Sequence, residues 1–292
     1  MSTTNSITIT FLAKVSFASL NGSDKDVDNI NPIKKITLTS GEQLPYMSAQ
    51  AVRRALRDRL EEMGEDISVV EKGAGKAPST TASDPVKYID DDLFGYMDAK
   101  GGHQRTSPVR VDALVAQSKY QGDLDFGTNY QAKDVGGDPN IFESEIHSGI
   151  YRGSLLIELD RVGQGRVVKG DRDAKAYNDA ATNAARVNKL IDAVQTLWSS
   201  GRQTRFLSDI SPKFVAAAWM KAKNPIFLEA AEYHGGQVNL GKLETVVADY
   251  ADFIEDHVFA VQVGTLGAQE GAVDLKEGFA KIKTWVNSYY GV

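Results

Sequence analysis

The order of the predicted secondary-structure elements is the feature that most restricts the fold of this chain. Apolar residues alternate with polar ones from Ile7 to Phe17, which predicts a half-buried first strand. Five further elements follow, at 46–64 (helix), 108–117 (strand), 149–162 (strand), 179–199 (helix) and 213–220 (strand). The resulting order, β-α-β-β-α-β, is typical of the ferredoxin-like or RRM fold, an antiparallel sheet with two helices packed on one face. The sequence therefore predicts an α+β protein.

The connections between these elements are much longer than the usual length of about 4–6 residues. Residues 73–85 are small, polar and rich in helix breakers, which indicates a mobile loop. The stretch 118–147 is rich in glycine and aspartate and also has the composition of a loop. Two more amphipathic helices are predicted at 242–257 and 275–289. We therefore predict a single domain, 1–292, that carries long insertions.

The composition excludes several classes of function. The chain has 292 residues and no cysteine, which excludes disulfides, thiolate metal sites and cysteine nucleophiles and suits a reducing cytoplasm. The N-terminal sequence has no basic region followed by an apolar run, so it does not predict a signal peptide. No stretch approaches the roughly 18 apolar residues that a membrane span needs. We expect a cytoplasmic protein with no membrane contact.

The charge of the chain is distributed unevenly. The net charge of the whole chain is −6, and this total argues against nucleic acid as a partner. Residues 202–223, however, carry five basic residues against one aspartate, and residues 229–257 carry seven carboxylates against one lysine. A molecule with a basic stripe and an acidic flank is able to bind a polyanion on one side, or to stack head to tail on copies of itself.

Arginines are concentrated at the start of the first predicted helix. Ser48 is the predicted N-cap, and an apolar stripe at helical spacing follows it. Arg53, Arg54 and Arg57 lie in the N-terminal half, where the helix dipole disfavours a cation by about 0.3–1 kcal/mol. An external polyanion accounts for this placement, because free N–H groups at a helix start and arginines beside them form a phosphate site. The alternative interpretation is a solvated basic face.

No residue cluster in the sequence predicts catalysis, a cofactor or a metal site. The four histidines are scattered and lack the HExxH spacing. Asp24, Asp26 and Asp28 are spaced like calcium ligands, but Asn29 and Lys35 stand where the turn glycine and the bidentate glutamate belong. The long strands also lack the aromatic pattern on which RRM domains stack bases. If the sheet binds nucleic acid, we expect sequence-independent contact with the backbone.

Six stretches of the chain, taken in order, carry a resemblance to a known family. They are "SLNGSD", "PYMSAQAVRRALR", "DDLFGYMD", "RTSPVRVDALVAQS", "SEIHSGIYRGSLLIEL" and "GRQTRFLSDISP". Together they resemble the repeated backbone subunit of type I CRISPR Cascade complexes, the Cas-seven family, and most closely its DevR autoregulator branch of type I-B systems. The resemblance spans about residues 5–220, while residues 221–292 match only in general character.

The resemblance implies a hand-shaped subunit with an RRM-like palm, a short fingers insertion at 65–107 and a thumb hairpin at 118–148. Many copies of such a subunit coat one CRISPR guide RNA as a helical filament beside other Cascade subunits, and the guide recognises the target DNA strand in antiviral defence. Each copy grips the RNA backbone with its palm, and its thumb kinks the RNA between neighbouring copies. Such a subunit is a scaffold with no catalytic residue, metal or cofactor.

The resemblance also implies which residues contact the RNA. Phe126 or Tyr130 of the thumb is expected to wedge beside a displaced base. The residues expected to grip the RNA backbone lie on the first loop, the arginine helix, two palm strands and the basic turn, and they are Asn21, Lys34, Lys35, Ser48, Arg53, Arg54, Arg57, Arg110, Ser148, Tyr151, Arg152, Gln203, Thr204 and Arg205.

Two other functions stay open at this point. Related backbone subunits of type III complexes cleave target RNA with an aspartate after the first strand, and Asp24, Asp26 and Asp28 lie in that loop. Dependence on a divalent metal discriminates this ribonuclease from a scaffold. The name of the DevR branch implies a DNA-binding autoregulator, which no helix-turn-helix pattern in the sequence supports.

Overall fold

The computed structural model describes residues 5–24, 29–70, 72, 79–98, 102–165, 175–199, 201 and 205–292. The helices in these parts of the chain are α1 (Ala49–Glu62), α2 (Ile89–Phe94), α3 (Ala180–Gln195), α4 (Leu240–Asp249), α5 (Val263–Leu266) and α6 (Leu275–Tyr290). Short 3-10 helices cover Tyr130–Val135, Leu159–Arg161 and Ala251–Phe253. None of the helices in the described ranges has the length and apolar character that a bilayer crossing requires.

One large sheet forms the centre of the molecule. Its strands are β1 (Ser6–Ala18), β3 (Lys35–Thr37), β4 (Gln43–Met47), β7 (Val109–Val111), β8 (Leu114–Ala116), β11 (His147–Glu158), β14 (Pro212–Met220), β17 (Ile254–Val261) and β18 (Val273–Asp274). The remaining strands form small sheets and are β2 (Ile30–Asn31), β5 (Tyr96–Asp98), β6 (His103–Arg105), β9 (Leu124–Asn129), β10 (Asn140–Glu145), β12 (Gln164–Gly165), β13 (Lys175–Ala176), β15 (Tyr233–His234) and β16 (Gln237–Val238).

The predicted fold class is confirmed by the order of the strands. In the large sheet β14 pairs with β1, β1 with β11, and β11 with both β7 and β8, and all of these pairs are antiparallel. This is the arrangement that a β-α-β-β-α-β motif forms, with its first strand between the third and the fourth. β17 and β18 extend one edge of the sheet, and β4 and β3 extend the other.

Apolar layers cover both faces of the central strands. On one face Ile7 and Ile9 of β1 pack in the same core as residues of α1, α3 and α6. On the other face Leu12 and Phe214 pack with Phe227 and other residues of the C-terminal region. The alternation in β1 had predicted a half-buried strand with one solvated face. This expectation is wrong, because residues from 214–266 form a second core on the face that carries Leu12.

Two predicted elements differ from the observed ones. The predicted strand 108–117 is divided into β7 and β8, and between them the N–H group of Asp112 donates to the carbonyl of Ser154 (2.9 Å). The predicted helix 242–257 ends early, since α4 stops at Asp249 and Ile254 already begins β17. β17 pairs along β14, and the backbone hydrogen bonds of that pairing take the place of further helix.

The stretch 118–147, which has the composition of a loop, contains a hairpin. β9 and β10 are antiparallel, and the 3-10 helix Tyr130–Val135 lies between them. β10 also pairs in parallel with β2, so the three strands form a sheet separate from the large one. We call the segment Leu124–Glu145 the hairpin.

A buried aspartate ties the segment around α2 to the rest of the molecule. Asp92 is 0% exposed. Its carboxylate accepts hydrogen bonds from Arg105 (2.5 Å), Arg186 (2.8 Å), the hydroxyl of Tyr177 (2.6 Å) and the N–H group of Gly163 (3.1 Å). Two cations and two neutral donors therefore compensate the buried charge.

The two preceding aspartates are also buried but have fewer partners. Asp90 accepts from the guanidinium of Arg57 (2.9 Å) and from the N–H group of Ser68 (2.8 Å). Asp91 accepts from the N–H group of Asp84 (2.9 Å), and no cation in the described ranges pairs with it. Burial consequently raises the pKa of the Asp91 carboxyl. We call Asp90, Asp91 and Asp92 the aspartate hub.

Candidate nucleic-acid interface

The first loop of the chain holds the start of α1. Ser48 is the N-cap, as predicted, and its hydroxyl accepts from the N–H group of Ala51 (3.4 Å). The N–H group of Ser48 donates to the side-chain oxygen of Asn21 (3.0 Å), and the carbonyl of Asn21 accepts from the N–H group of Lys34 (2.9 Å). The structure therefore brings together three residues that were expected to bind RNA, at the end of a helix where a polyanion is favoured.

The three arginines of α1 have different environments. Arg54 pairs with Asp58 one turn later (2.6 Å), and Arg57 pairs with the buried Asp90 (2.9 Å). Arg53 is half-buried and its Nε has no hydrogen-bond partner. Burial, and then the charge of Arg57, lower the pKa of Arg53. Among the three, Arg53 has the guanidinium that is not already bound to a carboxylate in the described ranges.

Two more predicted cations lie on the sheet face opposite to α1. Arg152 is opposite Leu12 in the β1–β11 pairing, and Arg110 is opposite Leu156 in the β7–β11 pairing. Both are paired with carboxylates. Arg110 contacts the buried Glu158 (2.7 Å) and keeps 59% of its side chain exposed, whereas Arg152 contacts the exposed Glu229 (3.2 Å).

Tyr151 does not lie on this face. It is 2% exposed and belongs to the core beneath α1 and α3, since alternate residues of β11 point to opposite faces. Its hydroxyl is hydrogen-bonded to Nδ1 of the buried His147 (2.9 Å), and burial lowers the pKa of that histidine. The expectation that Tyr151 contacts RNA is therefore corrected, because its side chain is enclosed. Ser148, three residues before it, is exposed.

The hairpin presents aromatic side chains to solvent. Phe126 on β9 is 60% exposed and Tyr130 at its end is 64% exposed, and Leu124 and Ile141 are also half exposed. Exposed aromatic rings of this kind are suited to stacking on bases or packing against a partner. The two side chains expected to wedge beside a base are therefore accessible.

The remaining predicted cations contact the hairpin. Lys35 pairs with Glu145 of β10 (2.5 Å). Arg205 pairs with Asp125 of β9, and its guanidinium lies over the ring of Phe142 (4.7 Å). Gln203 and Thr204, the other expected contacts of the basic turn, lie outside the described residues.

A single electrostatic feature unites these side chains. Eight of the expected RNA contacts in the described ranges are lysines or arginines, and six of them pair with carboxylates, namely Lys35, Arg54, Arg57, Arg110, Arg152 and Arg205. Lys34 and Arg53 have no such partner among the described residues. The carboxylate partners, which sequence reasoning missed, reduce the positive charge of the surface without removing its cations.

The described residues offer no evident metal site. No group of three or more His, Cys, Asp or Glu side chains in the described ranges is arranged to hold a metal ion. Asp24 is exposed, while Asp26 and Asp28 lie outside the described residues.

Comparison with known proteins links this chain to CRISPR systems. Residues 9–234 match the family model described as "CRISPR-associated negative auto-regulator DevR/Csa2". A relative from Myxococcus xanthus (strain DK1622), described as "CRISPR-associated protein Cas7/Cst2/DevR", is 26% identical over 226 residues that cover 70% of this chain and 68% of the relative.

Solved structures show the same fold. A chain of a structure titled "CRISPR RNA-guided surveillance complex, pre-nicking" superposes with a TM-score of 0.68 at 14% identity, covering 97% of this chain and 99% of the other. A chain of a second structure, titled "CRISPR RNA-guided surveillance complex", gives a TM-score of 0.63 at 17% identity with the same coverage.

Proposed function

The chain belongs to the CRISPR-associated DevR/Csa2 family, and on that premise we propose that it is the backbone subunit of a type I-B Cascade complex. In this role it binds the CRISPR guide RNA along its backbone. Copies of the chain oligomerise along the guide as a helical filament, together with other Cascade subunits. The bound guide then recognises the target DNA strand by base pairing, as part of antiviral defence.

One observation carries this proposal. The segment from Asn21 to Asn31 connects the start of α1 with the hairpin, because Asn21 accepts from the N–H group of Ser48 at one end and Asn31 donates to the carbonyl of Glu143 at the other. A helix start that favours phosphate and a hairpin with exposed aromatic rings are therefore held together by one short segment. Cations beside aromatic rings are the features by which proteins bind single-stranded nucleic acid without sequence preference.

The contact we propose is with the RNA backbone. The aromatic residues Phe11 of β1 and Tyr151 of β11 are 1% and 2% exposed and point into the core. The strands therefore do not offer these rings as a base-stacking platform, in contrast to RRM domains. Lys34, Arg53 and the N-terminal end of α1 supply charge and N–H donors for phosphates, which are the same in every sequence.

We further propose that the chain is a scaffold and not an enzyme. The ribonuclease alternative requires Asp24, Asp26 or Asp28 to act with a divalent metal. Guide-bound protein mixed with complementary RNA and Mg²⁺ or Mn²⁺ is expected to leave that RNA intact. Regular cuts that disappear on substituting one of these aspartates by alanine would replace the scaffold proposal with the ribonuclease one.

The experiment that tests RNA binding compares two arginines of the same helix. We expect Arg53→Ala to weaken binding of labelled single-stranded RNA by about tenfold, equally for unrelated sequences, and to reduce the salt slope by about 0.7 for the lost phosphate contact. The matched control is Arg59→Ala, because Arg59 lies on α1 but binds Glu62 and Thr196 and is not an expected RNA contact.

The same titrations discriminate the other outcomes. If copies of the chain assemble along RNA, the mass of the complex is expected to increase stepwise with RNA length. Mass photometry measures this mass. A loss confined to one RNA sequence would mean that Arg53 reads bases. Binding of a promoter duplex in preference to RNA would favour the autoregulator, and absence of RNA binding by the unaltered chain would contradict the proposed function.

A further inference from the structure

Two cations that are expected to bind RNA are held by carboxylates of the hairpin. Lys35 begins β3 and Arg205 lies in the basic turn after α3, and they contact the two strands of the hairpin, β10 and β9 respectively. Their partners, Glu145 and Asp125, are not expected RNA contacts. The hairpin therefore places negative charges on cations that lie next to the proposed RNA path.

The contact of Glu145 with Lys35 is close and partly shielded from solvent. The ammonium of Lys35 lies 2.7 and 2.5 Å from the two carboxylate oxygens, and the two side chains are 17% and 14% exposed. The second oxygen also accepts from the N–H group of Ile33 (2.8 Å). The ammonium lies over the ring of Tyr120, 4.3 Å from its centre. Glu145 thus satisfies a cation that would otherwise be free for a ligand.

The contact of Asp125 with Arg205 is more open. These two side chains are 28% and 30% exposed, and the guanidinium of Arg205 also donates to the hydroxyl of Ser144 (3.1 Å). Its Cζ atom lies 4.7 Å from the ring centre of Phe142 of the hairpin and 5.2 Å from that of Phe206. Arg205 is therefore positioned by both hairpin strands in the absence of a ligand.

We propose that Asp125 and Glu145 occupy Arg205 and Lys35 in place of RNA phosphates, and that bound RNA displaces them. This inference rests on the proposed function. Carboxylate and phosphate oxygens both accept charge-assisted hydrogen bonds from lysine and arginine, so either anion satisfies the same cation. RNA binding then exchanges one ion pair for another, and the hairpin carboxylates act as an internal competitor that sets the affinity of the ligand-free chain.

The exchange also loosens the hairpin. Once Arg205 and Lys35 bind phosphates, the hairpin keeps its attachment to the first loop, where Asn31 donates to the carbonyl of Glu143 (3.0 Å) and β10 pairs with β2. It loses the two ionic contacts with Arg205 and Lys35. A hairpin that is held in the free chain and released on the guide RNA is therefore coupled to binding.

The first test removes the competing charges and keeps the shapes. We expect Asp125→Asn to tighten binding of a labelled single-stranded RNA by about 1.5- to 5-fold, the range that corresponds to breaking a solvent-accessible ion pair. Glu145→Gln is expected to tighten binding by at least as much, because its ion pair is more shielded from solvent. Asp134→Asn is the matched control, since Asp134 is an exposed hairpin carboxylate with no cation partner in the described ranges. An equal gain in the control would show only a general charge effect and would overturn the inference.

The second test measures the position of the hairpin directly. The chain has no cysteine, so spin labels at Glu61→Cys on α1 and Val135→Cys at the hairpin tip are unique. We expect the distance distribution to shift when RNA is added to the otherwise unaltered chain. The double variant Asp125→Asn, Glu145→Gln is expected to give a broadened or shifted distribution without RNA.

The outcomes separate the two proposals. If the unaltered chain binds no RNA, the proposed function fails and the inference fails with it. If RNA binds but the neutral variants bind with the affinity of the Asp134→Asn control, or if RNA leaves the distance distribution unchanged, the proposed function stands and the internal competition is wrong.

Discussion

The aspartate hub and the hairpin contacts use the same chemistry in different surroundings. In the hub, Asp92 and its partner Arg105 are 0% and 6% exposed, whereas in the hairpin contact Asp125 and Arg205 are 30% and 28% exposed. A buried pair leaves an uncompensated charge when one member is removed, but water and ions replace the partner of an exposed pair. The comparison teaches that burial, and not the identity of the pair, decides whether an arginine holds the fold or remains exchangeable.

The largest effect is expected from removing the central carboxylate of the hub. Asp92→Ala leaves Arg105 and Arg186 buried without their shared partner, and we expect it to lower the free energy of unfolding by about 3–5 kcal/mol. Urea denaturation followed by circular dichroism measures this change. A loss below 1 kcal/mol would show that solvent reaches the hub and would remove the contrast with the hairpin.

A smaller change of opposite sign is expected at the neighbouring position. Burial raises the pKa of Asp91 above its value in the unfolded chain, so folding favours the protonated form and stability is lost as the pH rises through the folded pKa. We expect Asp91→Asn to stabilise the protein at pH 7 by about 1 kcal/mol, and the gain to disappear in acid below the unfolded pKa.

The pH dependence of that gain is the decisive measurement. Denaturation midpoints of Asp91→Asn and of the unaltered chain are compared from pH 3 to 8, a range that extends below the unfolded pKa of an aspartate. Asp90→Asn is the matched control, because it leaves Arg57 without its charged partner and is expected to destabilise the chain. A constant difference across this pH range would mean that Asp91 is ionised throughout.

On the hairpin side the expected effect on folding is smaller still. Asp125→Ala breaks an ion pair that is about 30% exposed on each side, and we expect the free energy of unfolding to fall by about 0.2–1 kcal/mol. Hydrogen exchange of the β9 and β10 amides is expected to increase while that of β1 stays unchanged. Increased exchange in β1 would show that the hairpin supports the main sheet.

The sequence predicted the features that depend on local patterns. The alternation in β1, the N-cap at Ser48 and the periodicity of α3 are signals within a few residues, and the strand order follows from the element order. The burial of both faces of β1 was missed, and Thr8 and Thr10 are 0% exposed. The residues that bury this second face of β1 come from a region more than 190 positions later in the chain. A pattern within β1 itself does not reveal such a distant partner.

The sequence predicted the lysines and arginines of the candidate site but not the carboxylates with which they pair. Arg57 binds Asp90 at a separation of 33 residues, and Arg152 binds Glu229 at a separation of 77. A pattern of charges along the chain does not encode such contacts, because tertiary folding brings them together. Tyr151 was misassigned for a related reason, since the face to which a strand residue points depends on register.

The smallest effect is expected where a predicted RNA contact carries only a local ion pair. Arg54 is 68% exposed and pairs with Asp58 at a spacing of i,i+4. Such pairs stabilise a helix by about 0.2–0.5 kcal/mol, and an arginine that precedes its acid is in the weaker orientation. We therefore expect Arg54→Ala to change the free energy of unfolding by less than about 0.5 kcal/mol, and the difference from the unaltered chain to vanish in 1 M salt, where exposed charges are screened.

Because Arg54 is accessible while Arg57 is bound to the hub, the comparison of Arg54→Ala with Arg57→Ala separates the two roles within one helix. We expect Arg54→Ala to fold with nearly the stability of the unaltered chain, whatever its RNA affinity. Arg57→Ala is expected to have a lower free energy of unfolding even without RNA, because it leaves the buried Asp90 without its cation. Equal stability of the two variants would mean that the Asp90 contact of Arg57 is as exchangeable as those of the hairpin, and the distinction drawn from burial would not hold in α1.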